Sequence, residues 1–181
     1  GGTGRREAAA RGAGDAPSGE AASSGSRGSL PEEAANAATR GEESALLAWL
    51  DSGARVNVTC WEDDVSCITA LMFAARCGHE RVVELLLQRG AEIDLQDSMG
   101  NTALLLAAAD GKERVVDLLL QHGAEINKQN SYGNTALMSA AMTGHERVVD
   151  LLMQHGAEIN KQGNGGWNGK SALQHAKEEG H

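Results

Sequence analysis

Aromatic side chains are scarce in this chain, with three Trp, one Tyr and one Phe among 181 residues. Apolar residues still make up 41% of the sequence, so any core has to be built mainly from Leu, Val, Ile and Ala. Proline is rarer still, two against 23 glycines, a balance that suits helices cut by glycine turns better than a β-sandwich. Long apolar runs are missing too. The longest, Ala103 to Ala109, falls far short of the ~20 residues a membrane-spanning helix needs, so no membrane insertion is expected. The opening residues also lack the apolar segment and cleavage pattern of a secretory signal.

Basic charge is short as well. The net charge is −9, which argues against nucleic acid as a ligand, because phosphate binding needs a basic surface. Three cysteines (Cys60, Cys67 and Cys77) are an odd number and suggest no disulfide framework. The expected compartment is therefore reducing: the cytoplasm, or the nucleus. Asn57-Val58-Thr59 matches the glycosylation acceptor pattern, which without a secretory signal is read as chance. The sequence opens on Gly-Gly-Thr, not Met, so a fragment or processed product is expected.

What is present falls into two parts. Residues 1–29 are rich in Gly, Ala and Ser, and their four arginines and three acids nearly cancel. Such a segment buries too little to offset its ordering entropy and is expected to be disordered. A plastid transit peptide is an alternative that the acidic residues oppose. From residue 30 the sequence repeats itself. Gly78, Gly111 and Gly144 are spaced by 33, and Thr69, Thr102 and Thr135 keep the same step. The third unit reads DSMGNTALLLAAADGKERVVDLLLQHGAEINKQ and the fourth NSYGNTALMSAAMTGHERVVDLLMQHGAEINKQ.

One unit can be read physically. Thr102 is placed to cap a short helix by accepting from backbone N–H groups two or three residues on. Gly111 supplies the left-handed conformation that ends it. A second helix follows, with Val115, Val116, Leu119 and Leu120 on one apolar face and Glu113, Arg114, Asp117 and Gln121 opposite. Gly123 closes that helix, and about ten residues then form an extended finger turning at Gly133. Each unit has apolar groups it cannot bury alone, so neighbours must stack. The first helices carry small pairs, Ala74-Ala75, Ala107-Ala108 and Ala140-Ala141, whereas the second carry Val and Leu. The stack should therefore bend, with first helices and fingers on its concave side.

With a 33-residue period and recurring Thr-Ala-Leu, Ala-Ala, Gly-His-Glu-Arg-Val-Val and Gly-Ala-Glu-Ile-Asn, the chain resembles the ankyrin-repeat family over residues 30–181. The resemblance implies an all-α solenoid of stacked helix–turn–helix units with hairpin-like fingers. The units span about 30–63, 64–96, 97–129, 130–162 and a truncated 163–181. The family commonly has Thr-Pro-Leu-His where this chain has Thr-Ala-Leu-Met or Thr-Ala-Leu-Leu. That departure removes a hydrogen bond and the preset φ of proline, so lower stability per repeat is expected. In the first unit Ala34, Ala37 and Ala38 form the small face, and Leu46, Leu47, Trp49 and Leu50 the large one. Its finger holds four extra residues within Val58 to Asp64, and three more are inserted near Gly163 to Gly166. Cys67 stands where other units have glycine, which leaves the turn there open.

Three patterns suggest chemistry, and none is complete. Asn164 to Ser171 nearly forms a phosphate loop, but Asn164 stands where the first glycine is needed and polar residues precede it. His79-Glu80 and His145-Glu146 begin a zinc-protease motif whose second histidine is replaced by Val83 or Val149. These histidines suit a capping or bridging role between units. Cys60, Cys67, Cys77 and His79 match no common zinc spacing. No metal, cofactor or catalytic residue is expected, and a repeat stack does not by itself make a deep, water-excluding pocket.

The expected function is non-catalytic binding of another protein by a monomeric chain. Trp61, Tyr132 and Trp167 fall in fingers outside the helical core, and Met99 takes the place of Tyr132 in its own finger. Tyr and Trp are frequent interface anchors; packing against a neighbouring finger is the plainer role. The resemblance implies that finger tips and exposed first-helix residues grip the partner. By alignment these are Val65, Ser66, Ile68, Arg76 and Cys77 in the second unit, and Ser98, Met99, Asn101, Ala109 and Asp110 in the third. In the fourth they are Ser131, Tyr132, Asn134, Met142 and Thr143; Asn168 and Glu179 follow in the fifth. A partner with an apolar anchor and a basic rim would suit the acids Glu62, Asp63, Asp64, Asp97 and Asp110. The alternative is a targeting or regulatory segment of a larger protein whose enzymatic domain lies outside this chain. Asn127 and Asn160 resemble ankyrin asparagines that are hydroxylated in some organisms.

Overall fold

The computed structural model of the chain describes residues 29–62 and 65–162. The arm before Ser29 and the fifth unit, with Trp167, Asn168 and Glu179, lie outside the described residues. Four helix pairs follow one another: α1 (Glu32–Arg40) and α2 (Glu43–Asp51), α3 (Ala70–Cys77) and α4 (Glu80–Gln88), α5 (Ala103–Ala109) and α6 (Glu113–Gln121), then α7 (Ala136–Met142) and α8 (Glu146–Gln154). The one sheet among the described residues is an antiparallel hairpin of β1 (Thr59–Glu62) and β2 (Val65–Thr69). The fold is thus the all-α ankyrin solenoid expected, with one β-hairpin in its longest finger.

Local chemistry accounts for each pair. Thr69, Thr102 and Thr135 sit in extended backbone, and each Oγ1 accepts from the N–H three residues on, at 3.3–3.4 Å. Such a cap is worth about 1 kcal/mol. Gly78, Gly111 and Gly144 all take positive φ, where a side chain is disfavoured, and turn the chain into the second helix. Met72, Leu105 and Met138 occupy the positions where the family commonly has His, and all three are buried. The lost polar contact is replaced by apolar burial, about 1.5–3 kcal/mol for a side chain of this size.

Stacking supplies the core. Leu86, Leu119 and Leu152 repeat at one position of the second helices and are fully buried, as are Ala74, Ala107 and Ala140 in the first. Successive first helices pack more closely than successive second helices. The alanines permit that approach, and a stack close on one side and wide on the other curves toward its first helices. In the first unit Ala34, Ala37, Ala38, Leu46 and Leu50 are buried, while Leu47 and Trp49 are only half-buried.

Polar ties repeat across the units as well. The Nε2 of His79 donates to the Thr39 carbonyl at 2.7 Å, and that of His145 to Ala109 at 3.1 Å, which is the bridging role expected of these histidines. A Cβ added to Gly41 would stand 2.6 Å from the His79 ring, and one added to Gly111 would stand 2.6 Å from the His145 ring. Arg81, Arg114 and Arg147 each reach back one unit to Glu43, Glu80 and Glu113, at 3.5–3.9 Å.

Candidate functional site: the concave face and its finger tips

The fingers are joined edge to edge. Leu30 donates its N–H to the Thr59 carbonyl on β1, β1 pairs with β2, Ser98 donates to Ser66, and Ser131 donates to Met99, each at 2.9 Å outside the hairpin. This ladder holds the finger tips in a row above the first helices. Each turn is fixed by its first residue. Asp97 Oδ1 accepts from the N–H groups of Met99 and Asn101 at 2.9 and 2.8 Å, and Asn130 Oδ1 does the same for Tyr132 and Asn134. This is an Asx turn, which short polar side chains make with their own backbone.

At the glycine position of the turn the units differ. Gly100 and Gly133 have φ of 78° and 75°; Cys67, one unit earlier, has φ 64°. The turn left open by the sequence therefore keeps its shape, and the cysteine accepts the left-handed conformation at a cost of about 1–2 kcal/mol. Its thiol is exposed, while Cys60 and Cys77 are half-buried; none forms a disulfide.

Most of the residues expected to meet a partner do line this face. Tyr132 is 47% exposed at its finger tip, and Met142, at the end of α7, is 53% exposed. Asp110 and Thr143 are the exposed C-caps of α5 and α7, with Thr143 Oγ1 donating to the Ser139 carbonyl at 2.9 Å. Arg76 lies in the last turn of α3, its guanidinium 5.4 Å from the Phe73 ring centroid, a cation–π distance. Trp61 lies on β1, at the irregularity of the hairpin register between Cys60 and Glu62. Asp63 and Asp64 lie outside the described residues.

Several placements differ from the simple expectation of exposed contacts: Val65, Ser66, Arg76, Cys77, Met99 and Ala109 are half-buried. Ile68 is 5% exposed and belongs to the core, because β2 runs straight into α3 and turns that side chain inward. Asn101 and Asn134 are half-buried. The Asn101 amide is engaged on both sides: Nδ2 donates to Asp97 Oδ2 at 3.1 Å, and Oδ1 accepts from Asn130 Nδ2 at 2.9 Å. Asn101 thus ties two fingers together. Asp97 is itself buried, with three donors on its carboxylate.

A cleft of about 230 Å³ opens between the second and third units, walled by Val65, Ile68, Phe73, Arg76, Met99 and Leu106. Sequence reasoning named Arg76 and Met99 but missed Phe73 and Leu106. The available signal was their register: they are equivalent positions one turn before Arg76 and Ala109 on the first helices. Among the described residues no cluster of His, Cys, Asp or Glu could hold a metal ion, and no helix is long and apolar enough to cross a membrane.

Away from this face, Asn127 is clamped to the next unit. Its Nδ2 donates to Glu158 Oε1 at 3.0 Å and its Oδ1 accepts from the Glu158 N–H at 2.9 Å. Asn57 makes the same pair of bonds with Glu92. Asn160 is exposed.

The family model described as "Ankyrin repeats (3 copies)" matches residues 34–130, 71–163 and 125–181. The chain belongs to the ankyrin-repeat family. Ankyrin repeats are generally protein–protein interaction modules without catalytic activity. A comparison with curated proteins finds no match.

Proposed function

We propose that this chain is a non-catalytic docking module that holds a partner protein against its concave face and finger tips. One observation carries the reading. Residues that differ from unit to unit gather on that face: Arg76, Ala109 and Met142 at one position, Phe73, Leu106 and Ser139 at another. The convex side instead repeats nearly the same residues in the second, third and fourth units. Exposed Tyr132 and Met142 are of the large, amphipathic or flexible kinds that anchor interfaces. Most described cations are spent on ion pairs within the stack, including Arg81, Arg89, Arg114, Arg147, Lys128 and Lys161. Surplus carboxylates then set the long-range field, which favours a partner basic around its apolar anchor.

Affinity purification from the native source with wild-type chain, then with Met99 and Tyr132 both replaced by Ala, tests the reading. The double variant should keep its helicity and melting temperature but lose at least about ten-fold in partner affinity, since a buried anchor is worth over 1 kcal/mol. Unchanged affinity would move the interface off these fingers. The same proposal has the chain act as a monomer in the cytoplasm or nucleus, which light scattering and a fluorescent fusion can check. For hydroxylation, the clamped Asn127 amide favours exposed Asn160 as the accepting residue. Intact mass of protein from its own cell, showing no added oxygen, would remove that proposal.

A further inference from the structure

The cleft between the second and third units has an ionisable pattern of its own. Its floor and sides are apolar, from Ile68 and Phe73 below to Val65 and Met99 on the two fingers. Two ionised groups line it, Arg76 and Asp97. They are not equivalent. The Asp97 carboxylate is buried and already accepts from two backbone N–H groups and the Asn101 amide, so its charge is met by fixed dipoles. Arg76 sits at the rim with its guanidinium over Phe73. A guanidinium has five N–H donors, enough to serve an incoming acceptor beside the contacts it makes within the chain.

We propose that this cleft takes one large apolar side chain of an extended partner segment, and that Arg76 binds a carboxylate next to that side chain. The inference rests on the docking reading above and names the chemistry of its anchor. The volume, about 230 Å³, suits a single aliphatic or aromatic side chain, and Met72 and Met99 give the walls the adaptability of unbranched thioethers. Acids do stand near the cleft: Glu62 pairs with Val65 across the hairpin, Asp97 lines the cleft with three donors already on its carboxylate, and Asp110 is the exposed C-cap of α5. A partner carboxylate is therefore held by direct contact with Arg76 and not by the general field. Glu84, Asp117 and Asp150 are farther away, on the second helices, on the far side of the first-helix layer. A helix with its side chains is about 10 Å across, and charges farther apart than ~8 Å are largely screened at physiological salt. A guanidinium–carboxylate contact is not screened in this way and is geometrically specific. Basic residues of the partner then meet the general field, while the neighbour of its anchor is acidic.

The test is selection of a random peptide library on the full chain, on Arg76→Glu and on Met99→Ala, with circular dichroism confirming that each variant is folded. Wild-type chain should enrich peptides with a large apolar residue beside Asp or Glu. Arg76→Glu should keep the apolar preference and exchange the acid for Lys or Arg, and Arg76→Gln should lose the charge preference with at least a ten-fold fall in affinity for the wild-type peptides. Met99→Ala should weaken both sets. Peptides whose charge preference is the same on wild type and Arg76→Glu would overturn the carboxylate assignment while leaving the docking face intact. Peptides indifferent to Met99→Ala as well, or no enrichment over a bare surface, would overturn the cleft as an anchor site. Should Met99 and Tyr132 also prove irrelevant to the native partner, the docking reading fails separately.

Discussion

The convex and concave sides of this stack are built on different rules. Along the second helices the same residues return in the second, third and fourth units: Glu-Arg-Val-Val, then Leu-Leu, with a buried Leu86, Leu119 or Leu152 and a rung of the Glu–Arg ladder. Along the first helices and fingers the small alanines, the capping threonines, the buried Leu71, Leu104 and Leu137 and the turn glycines return too, but the outward positions do not: Arg76, Ala109 and Met142 have nothing in common. The difference separates two jobs. Positions that repeat are those each unit needs to stack on the next, and positions free to vary are those stacking does not use. In a solenoid, binding residues have to be drawn from the second set.

The strongest way to break this comparison is to attack a repeated position. Leu119 is fully buried between the second helices. Leu119→Asp would place an unpaired charge there, at a cost of about 4 kcal/mol or more. Because units are stable only through their neighbours, the third and fourth should unfold together, seen as a large loss of helical signal at 25 °C. Helicity that survived unchanged would deny that stacking holds the chain.

A second comparison sets Gly111 against Gly123. Both have positive φ, 65° and 87°. A Cβ on Gly111 would stand 2.6 Å from the His145 ring, whereas nothing lies within 4 Å of one on Gly123. Gly123→Ala should therefore cost about 1 kcal/mol, the left-handed strain alone. Gly111→Ala should cost about 2 kcal/mol or more, because the histidine must also move from its bond to Ala109. Equal losses in urea titration would mean that the histidine tie contributes nothing.

Much of this was legible in the sequence, and for a plain reason. Thr102, Gly111 and the Val115–Leu119 face each act within a few residues of their own position, so spacing alone predicts the cap, the turn and the buried side. The four extra residues of the first finger were legible as a length. That they pair as a hairpin, with Thr59 also bridged to Ser29 and bonded by Leu30, no local pattern encodes. The site was legible in part. Tyr132 and Met142 could be placed by register, but the spent amide of Asn101 could not. Whether that amide faces a partner or its own neighbours turns on Asp97 and Asn130, 29 residues or fewer away but in two different units.

Cys67 sharpens the comparison on the varied side. Gly100 and Gly133 hold its place elsewhere, and the cysteine keeps φ 64°. Cys67→Gly removes the left-handed strain but loosens the unfolded chain, so a net stabilisation of up to about 1 kcal/mol is expected. A higher melting temperature with unchanged helicity would show that stability has been given up at a finger tip. A fall would mean that the Cys67 side chain makes contacts outweighing the strain.

The smallest effect belongs to the ladder on the convex side. Arg114 reaches Glu80 at 3.5 Å, yet its side chain is 83% exposed. An exposed pair of this kind contributes roughly 0–1 kcal/mol and is screened by salt. A double-mutant cycle of Glu80→Gln and Arg114→Gln should return a coupling of about 0.5 kcal/mol or less at low ionic strength, shrinking as salt is added. A coupling that stayed above about 1 kcal/mol in high salt would give the rungs a share of the stacking energy now assigned to Leu86, Leu119 and Leu152. The regularity of the ladder would then reflect stability directly. A weak coupling leaves its regularity as a matter of fit: the rungs recur because each unit meets the next in the same geometry, and that geometry is set by the buried leucines beneath them.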